Sequence, residues 1–295
     1  MIYTCTTNPS LDYYISVPNL EVGKDFRSDY EMYEAGGKGV NVSIVLNNFR
    51  IPSICLGFLG GFTKDYYLSF ISKYPNIQPL FTTIEDNTRI NLKIMDNFYE
   101  TDINAKGPRI TDEEFNKFKN RLVSVYEGDY FVLSGNIEEE IQDKLIEITK
   151  QLSADKVKVL IDTDRSVLDK LSDCKPFAVK LNRSTLNDDD LFMYAQSLID
   201  KGVEYVLFSS PNEKSFIFTK DESYECASLK NSLINVTGTS DSMVAGFLYG
   251  VIRGADTLES FRYANAASLA TSMTNDLGSK EKIEELYPTI EVNKL

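Results

Sequence analysis

The sequence predicts an α/β protein with a mostly parallel central sheet covered by helices and a small β-sheet lid attached. Three observations carry that expectation. Short apolar runs rich in β-branched and aromatic residues recur along the chain, amphipathic stretches of helical length separate most of them, and two pairs of runs have only turns between them. The alternation is the mark of βαβ units, because parallel neighbours need a long crossover connection. Runs without a helix between them pair as antiparallel flaps. At 295 residues the chain has room for one large unit with an attachment.

The core strands, in order, are Ile2 to Thr6, Ser53 to Leu59, Tyr130 to Leu133, Val157 to Ile161, Phe177 to Lys180 and Tyr205 to Phe208. Helix punctuation falls between them. Thr111 with Glu114 forms a candidate capping box ahead of Phe115, Phe118 and Leu122, and Gly202 after Leu191 to Lys201 is placed to end a helix in the left-handed conformation. The paired runs are Tyr13 to Val17 with Phe26 to Tyr33, and Thr88 to Met95 with Phe98 to Asn104. Both need a common partner. A lid that closes over a site at the C-terminal edge of the sheet, or pairs across it, supplies one.

Composition removes whole classes of function. The 31 basic and 44 acidic residues leave a net charge of −13, which argues against a general nucleic-acid surface, so phosphate recognition has to be local. With no histidine, Ser-His and Cys-His nucleophile pairs, imidazole metal sites and histidine acid/base chemistry are excluded. A carboxylate or a lysine has to move any proton. Cys5, Cys55, Cys174 and Cys226 lie far apart without a Cys-x-x-Cys pair, which fits small buried apolar side chains in a reducing compartment. The first residues carry no charged and apolar signal pattern, and no window reaches about 18 uninterrupted apolar residues. A cytoplasmic protein with no membrane partner is expected.

Three stretches carry chemistry. Gly36-Gly37-Lys38-Gly39-Val40-Asn41 opens an apolar helical segment. Glycines let the backbone approach a ligand, a helix start offers free N–H groups, and Lys38 adds a charge; a plain glycine turn before a core helix has the same appearance. The spacing is neither a Walker A loop nor a dinucleotide fingerprint. Asn8-Pro9-Ser10-Leu11-Asp12 follows the first strand, so Asp12 stands where α/β sheets place ligand groups, or is a turn aspartate. Gly238-Thr239-Ser240-Asp241-Ser242 precedes the stripe Met243, Val244, Phe247, Leu248 and Val251. It reads equally as an anion-binding helix start with Asp241 as base, or as an ordinary cap made by Thr239 or Ser240 with Asp241 complementing the dipole.

In order along the chain, these stretches resemble the PfkB/ribokinase family of sugar kinases, and within it the 1-phosphofructokinases and tagatose-6-phosphate kinases. Further pieces of the resemblance are Thr6 to Asp12, Glu34 to Val42, Leu56 to Phe62, Thr88 to Lys93, and Glu100 to Asn104 with Gly107 and Pro108. The resemblance implies a ribokinase-like three-layer α/β/α core in a single domain over residues 1–295, with lid strands inserted at about 12–35 and 88–106. It implies that Asp12, Gly36, Gly37, Asn41, Asn104 and Ser134 lie about the sugar, and that Lys38, Arg89 and Arg27 grip the phosphate it already carries. Lys180, Asn182, Ser209, Gly238 and Asn265 would meet the nucleotide. Gly238, Thr239 and Ser240 would form the anion hole and Asp241 the base. The substrates so implied are ATP and a small-molecule sugar phosphate, with Mg2+ and without nucleic acid; no residue identifies itself as a metal ligand. Pairing of lids makes a homodimer possible.

The nucleotide half departs from the pattern. Lys180-Leu181-Asn182-Arg183-Ser184-Thr185 stands where the family has Lys-Pro-Asn-x-x-Glu, and Ser209 to Ser215 lacks both family glycines. Gly-Ala-Gly-Asp has become Gly238-Thr239-Ser240-Asp241. The expected reaction is ATP-dependent phosphorylation of a ketohexose phosphate, fructose 1-phosphate to fructose 1,6-bisphosphate. The alternatives are a tagatose-6-phosphate kinase, and a sugar-phosphate-binding protein with weakened kinase activity.

Overall fold

A computed structural model describes residues 1–97, 99–183, 188–210, 213–227 and 236–295. The chain begins with β1 (Ile2–Thr6), β2 (Ser10–Ser16), β3 (Tyr30–Gly36), α1 (Lys38–Asn48), β4 (Ser53–Gly60), α2 (Gly61–Ile71), β5 (Ile77–Pro79), β6 (Thr82–Ile84), β7 (Arg89–Met95) and β8 (Glu100–Ile103). There follow α3 (Asp112–Arg121), β9 (Tyr130–Ser134), α4 (Glu139–Ala154), β10 (Lys158–Asp162), α5 (Arg165–Leu171), β11 (Ala178–Asn182), α6 (Asp188–Asp200) and β12 (Tyr205–Ser209). The chain closes with β13 (Ser215–Phe218), β14 (Ser223–Cys226), α7 (Thr239–Ile252), α8 (Thr257–Ser272), α9 (Lys280–Leu286) and β15 (Val292–Lys294).

The main sheet runs β15-β14-β13-β12-β11-β10-β9-β1-β4-β5, with β6 beside β4. From β12 to β5 its neighbours are parallel, and β13 to β15 add an antiparallel margin. Two hydrophobic layers sandwich it. Phe115, Leu145, Leu168 and Leu198 of α3 to α6 pack on one face, and Val45, Phe247, Phe261 and Ile283 of α1 and α7 to α9 pack on the other. This is the expected three-layer α/β/α core. The strands are buried on both faces, so their sequences are continuous apolar runs rather than alternating ones.

Local rules set the helix ends. The hydroxyl of Thr111 accepts from the N–H of Glu114, whose carboxylate accepts in turn from the N–H of Thr111, so the capping box is closed. After α6 the N–H of Gly202 (φ +102°) reaches Ile199 O at 2.8 Å and that of Val203 reaches Leu198 O at 3.1 Å, a Schellman ending. All four cysteines are buried thiols.

The second sheet, ordered β3-β2-β7-β8, differs from the expected flaps in two respects. Its halves are antiparallel hairpins, yet β2 and β7 join in parallel, so the sheet is mixed. The strand expected from Phe26 begins only at Tyr30, because residues 19–27 form an exposed connection with Asn19 at φ +58° and Gly23 at φ +85°. Phe98 lies outside the described residues. Register puts Ser10, Asp12, Tyr14, Gly36, Glu34, Arg89 and Asn91 on one face of this sheet.

Candidate functional site

The glycine run makes the joint between the two sheets. A Cβ on Gly36 would stand 2.4 Å from Asp12 Oδ2, so glycine there lets the Asp12 carboxylate lie against the turn. Gly37, at φ +141°, precedes α1 with no side chain capping the helix. The N–H of Gly39 donates to Thr6 Oγ1 at 2.9 Å, which ties the turn to the end of β1. From the first turn of α1, Asn41 Nδ2 donates to Asp241 Oδ2 at 2.8 Å across 200 positions of sequence.

Asp241 sits in the first turn of α7. Gly238 starts that helix at φ +76°, where a Cβ would meet Leu277 Cδ2 at 2.4 Å. No side chain caps the helix: Thr239 Oγ1 donates backwards to Val236 O at 2.9 Å. The ordinary-cap reading therefore does not describe this helix start. The Thr239 N–H turns to Val236 O at 3.4 Å, which leaves the N–H groups of Ser240 and Asp241 without a helical acceptor at the positive end of the dipole. Neither Thr239 nor Ser240 has positive φ, so side chains replace the family glycine pattern without backbone strain.

Behind Asp241 lies a charge cluster at the ends of β10 and β11. Lys180 is fully buried, and its Nζ donates to Asp162 Oδ1 at 3.2 Å, to Asn182 Oδ1 at 2.8 Å and to Ser240 Oγ. Lys38 Nζ stands 3.9 Å from the same Asp162 oxygen, an ion pair too long for a hydrogen bond. Burial, then the Asp162 carboxylate, push the Asp241 carboxyl up to about 6, against the opposing Asn41 amide and the Lys38 and Lys180 ammonium groups. Asp162 raises the Lys38 ammonium, whereas burial lowers that of Lys180.

On the lid side, Asp12 Oδ1 accepts from Asn91 Nδ2 at 2.8 Å and from Ser10 Oγ at 2.7 Å. Arg89 donates to Asn8 O at 3.0 Å and to Ala105 O at 3.1 Å, while its Nε lies buried without a partner among the described residues. Asn8 Nδ2 donates to Lys106 O at 2.9 Å and to Glu138, pinning the segment that returns from the lid. Asn104 is exposed on that segment. Ser134 is buried at the end of β9 opposite Asp162, its hydroxyl without a partner among the described residues. Arg27 stands exposed on the connection between β2 and β3. A cleft of about 820 Å³ runs beneath the inner face of the lid, walled by Tyr14, Met32 and Glu34 and by Asn41 and Ile44 of α1.

A second, narrower crevice opens on the other side of the α7 start, between Ser215, Thr239, Met243 and Asn265. Asn265 is fixed there by Ser215 Oγ (2.6 Å) and Phe261 O (2.8 Å). Ser209 Oγ donates to Asn182 Oδ1 at 3.0 Å at the neighbouring strand ends. Of the positions where the motifs depart from the family pattern, Thr185 and Pro211 lie outside the described residues, while Lys214 is described and its Nζ donates to Glu225 Oε2 at 2.7 Å.

The fold thus brings the Lys38 turn and Asp241 together. Asp162 is the residue the sequence reading missed; its signal was its place as the last residue of a core strand, where α/β sheets set their ligand groups. No group of three or more cysteine, aspartate or glutamate side chains able to hold a metal occurs among the described residues. Asp162 is already offset by two ammonium groups. These residues do not fit a protein-held divalent cation. No helix among the described residues is long and apolar enough to cross a membrane.

The model of the pfkB family carbohydrate kinases matches residues 10–282. The chain is 35% identical to 1-phosphofructokinase of Bacillus subtilis over 100% of both chains. It is 28% identical to tagatose-6-phosphate kinase of Staphylococcus epidermidis over 99% of each. Phosphofructokinase-2 of Escherichia coli, solved in complex with substrates and products, superposes with a TM-score of 0.91 at 20% identity over 98% of this chain and 99% of that one, which shows the shared fold.

Proposed function

The chain belongs to the pfkB family of carbohydrate kinases, and on that premise we propose that it transfers the γ-phosphoryl group of Mg-ATP to fructose 1-phosphate, giving fructose 1,6-bisphosphate. The observation that carries this reading is the uncapped start of α7, with two open N–H donors beside a buried carboxylate that faces the cleft through Asn41. The relative at 35% identity, a 1-phosphofructokinase, supports the choice of acceptor.

The proposed reaction assigns each of these residues a step. Asp12, held by Ser10 and Asn91, accepts hydrogen bonds from sugar hydroxyls, with Gly36 and Gly37 allowing close approach. Arg89, whose Nε has no partner among the described residues, and Lys38 receive the phosphate on the acceptor, with Asn104 and Ser134 flanking the sugar. Asp241 is mostly ionised at neutral pH and takes the proton of the attacking primary hydroxyl as the O–P bond forms and the bond from the γ-phosphorus to ADP breaks. The N–H groups at the start of α7 stabilise charge on the transferring group. Mg2+ arrives as part of the Mg-ATP substrate and neutralises the polyphosphate. Asn265 lines the crevice that we assign to the nucleotide, and we assign Asn182 and Ser209, hydrogen-bonded to each other at the strand ends, to the same ligand.

The lid excludes water so that ATP is not hydrolysed without acceptor. Its outer face is the surface we assign to a second copy of the chain, and we place the protein in the cytoplasm. A coupled kinase assay over hexose phosphates and nucleotide donors tests the reading: turnover is expected with fructose 1-phosphate, and turnover with tagatose 6-phosphate alone would move the chain to that alternative. Asp241→Asn is expected to abolish turnover while fructose 1-phosphate binding, by calorimetry, stays near normal. Undiminished turnover would remove Asp241 from the role of base.

A further inference from the structure

Lys180 has three N–H donors and meets three acceptors. Asp162 Oδ1 lies at 3.2 Å, Asn182 Oδ1 at 2.8 Å, and Ser240 Oγ takes the third. A primary ammonium with all three donors engaged, and with no exposed surface, has nothing left to offer a phosphate oxygen. The acceptor that completes the set is the one supplied by Ser240, the position where the family pattern has a glycine and so no side-chain oxygen.

Ser240 Oγ also lies 3.3 Å from Asn182 Oδ1, which accepts from Ser209 Oγ at 3.0 Å as well. The Asn182 carbonyl oxygen is therefore turned inward onto Lys180, Ser209 and Ser240, and its amide NH2 makes no hydrogen bond among the described residues. The exposed donor at the end of β11 is Asn182, not Lys180.

We propose that Ser240 and Lys180 form a positioning pair, in which the serine hydroxyl takes the last donor of the buried ammonium, anchors the first turn of α7 over the ends of β10 and β11, and withdraws Lys180 from the nucleotide's ligands. The anchored turn carries both open N–H groups and Asp241, so a shift there moves the anion hole and the base together. Misplacement by about 1 Å costs on the order of a hundredfold in rate. The pair acts through Asp241 and the α7 start, and Asn182 takes over the nucleotide contact that Lys180 gives up. This inference rests on the kinase reading above.

The test uses the full-length protein with Ser240→Ala, Ser240→Thr, Lys180→Met and the double variant, reading kcat, KM for fructose 1-phosphate and the calorimetric Kd of ADP. Ser240→Ala is expected to lower kcat about tenfold or more with KM within about twofold, and Ser240→Thr, which restores a hydroxyl, to recover most of it. Lys180→Met is expected to leave the Kd of ADP within about threefold, and the double variant to be no slower than Lys180→Met. A tenfold weaker ADP complex in Lys180→Met, or multiplying effects in the double variant, overturns the proposal. If Lys180→Met does not fold, unchanged kcat in Ser240→Ala overturns it alone. The ADP measurement needs no acceptor, so a failed choice of sugar is told apart from a failed role for the pair.

Discussion

Asp241, the base in the proposed reaction, works against the fold that holds it. Its carboxyl is raised from 3.8 to about 6, first by burial and then by Asp162. A carboxyl whose folded value lies above its unfolded value withdraws stability as pH rises from about 4 to about 6, and the loss is complete above that window. Asp241→Asn removes the charge and keeps the shape. It is expected to stabilise the protein on the order of 2 kcal/mol at pH 8, with the difference fading near pH 4. Thermal melts at the two pH values check this, and a lower melting temperature for the variant at pH 8 would contradict the burial argument. The same titration shapes activity: kcat/KM of the wild type is expected to rise about tenfold per pH unit below pH 6 and to level off above it.

Individual elements bear on function through their ends. The segment returning from β8 is held because Gly107, at φ +101°, lets the chain pass Asn8, whose Oδ1 would stand 2.3 Å from a Cβ there. Asn8 in turn carries Arg89 on its carbonyl. Gly107→Ala is expected to raise KM for the sugar phosphate by about tenfold with kcat little changed; steady-state kinetics showing the reverse would detach this segment from the acceptor phosphate. Thr111→Ala, which opens a capping box whose residues line neither the cleft nor the crevice, is expected to lower stability by about 1 kcal/mol and leave both constants unchanged. The capping box and the main strands were legible in the sequence because adjacent residues determine them. The parallel pairing of β2 with β7 was not, since it joins strands some 80 positions apart. Nor was Asp162, whose importance comes from lysines on two other elements. The saturation of Lys180 was hidden for the same reason.

At the scale of the whole molecule, the two faces of the lid have different chemistry. The inner face carries Asp12, Asn91 and Arg89 toward the cleft, while the strand alternation turns Tyr13, Tyr33, Ile90 and Ile94 the other way. On that outer side Tyr33 is 40%, Ile90 39% and Ile103 54% exposed, and Tyr33 meets the edge of Tyr66 on α2, next to Phe62 at 74%. A contiguous apolar face of this kind on a chain with net charge −13 is a surface built for burial rather than for solvent. In the dimer proposed above, a second copy would cover it by an isologous contact, in which each lid presents the same side chains to the other. The dimer would also stiffen four strands that a single chain supports from one face only, so that the carboxylate and guanidinium they carry are held at fixed distance from α7. Ile90→Asp puts two like charges at the centre of that contact. It is expected to yield a monomer by light scattering and to raise KM for the acceptor, and a variant that remains dimeric would place the contact elsewhere on the molecule.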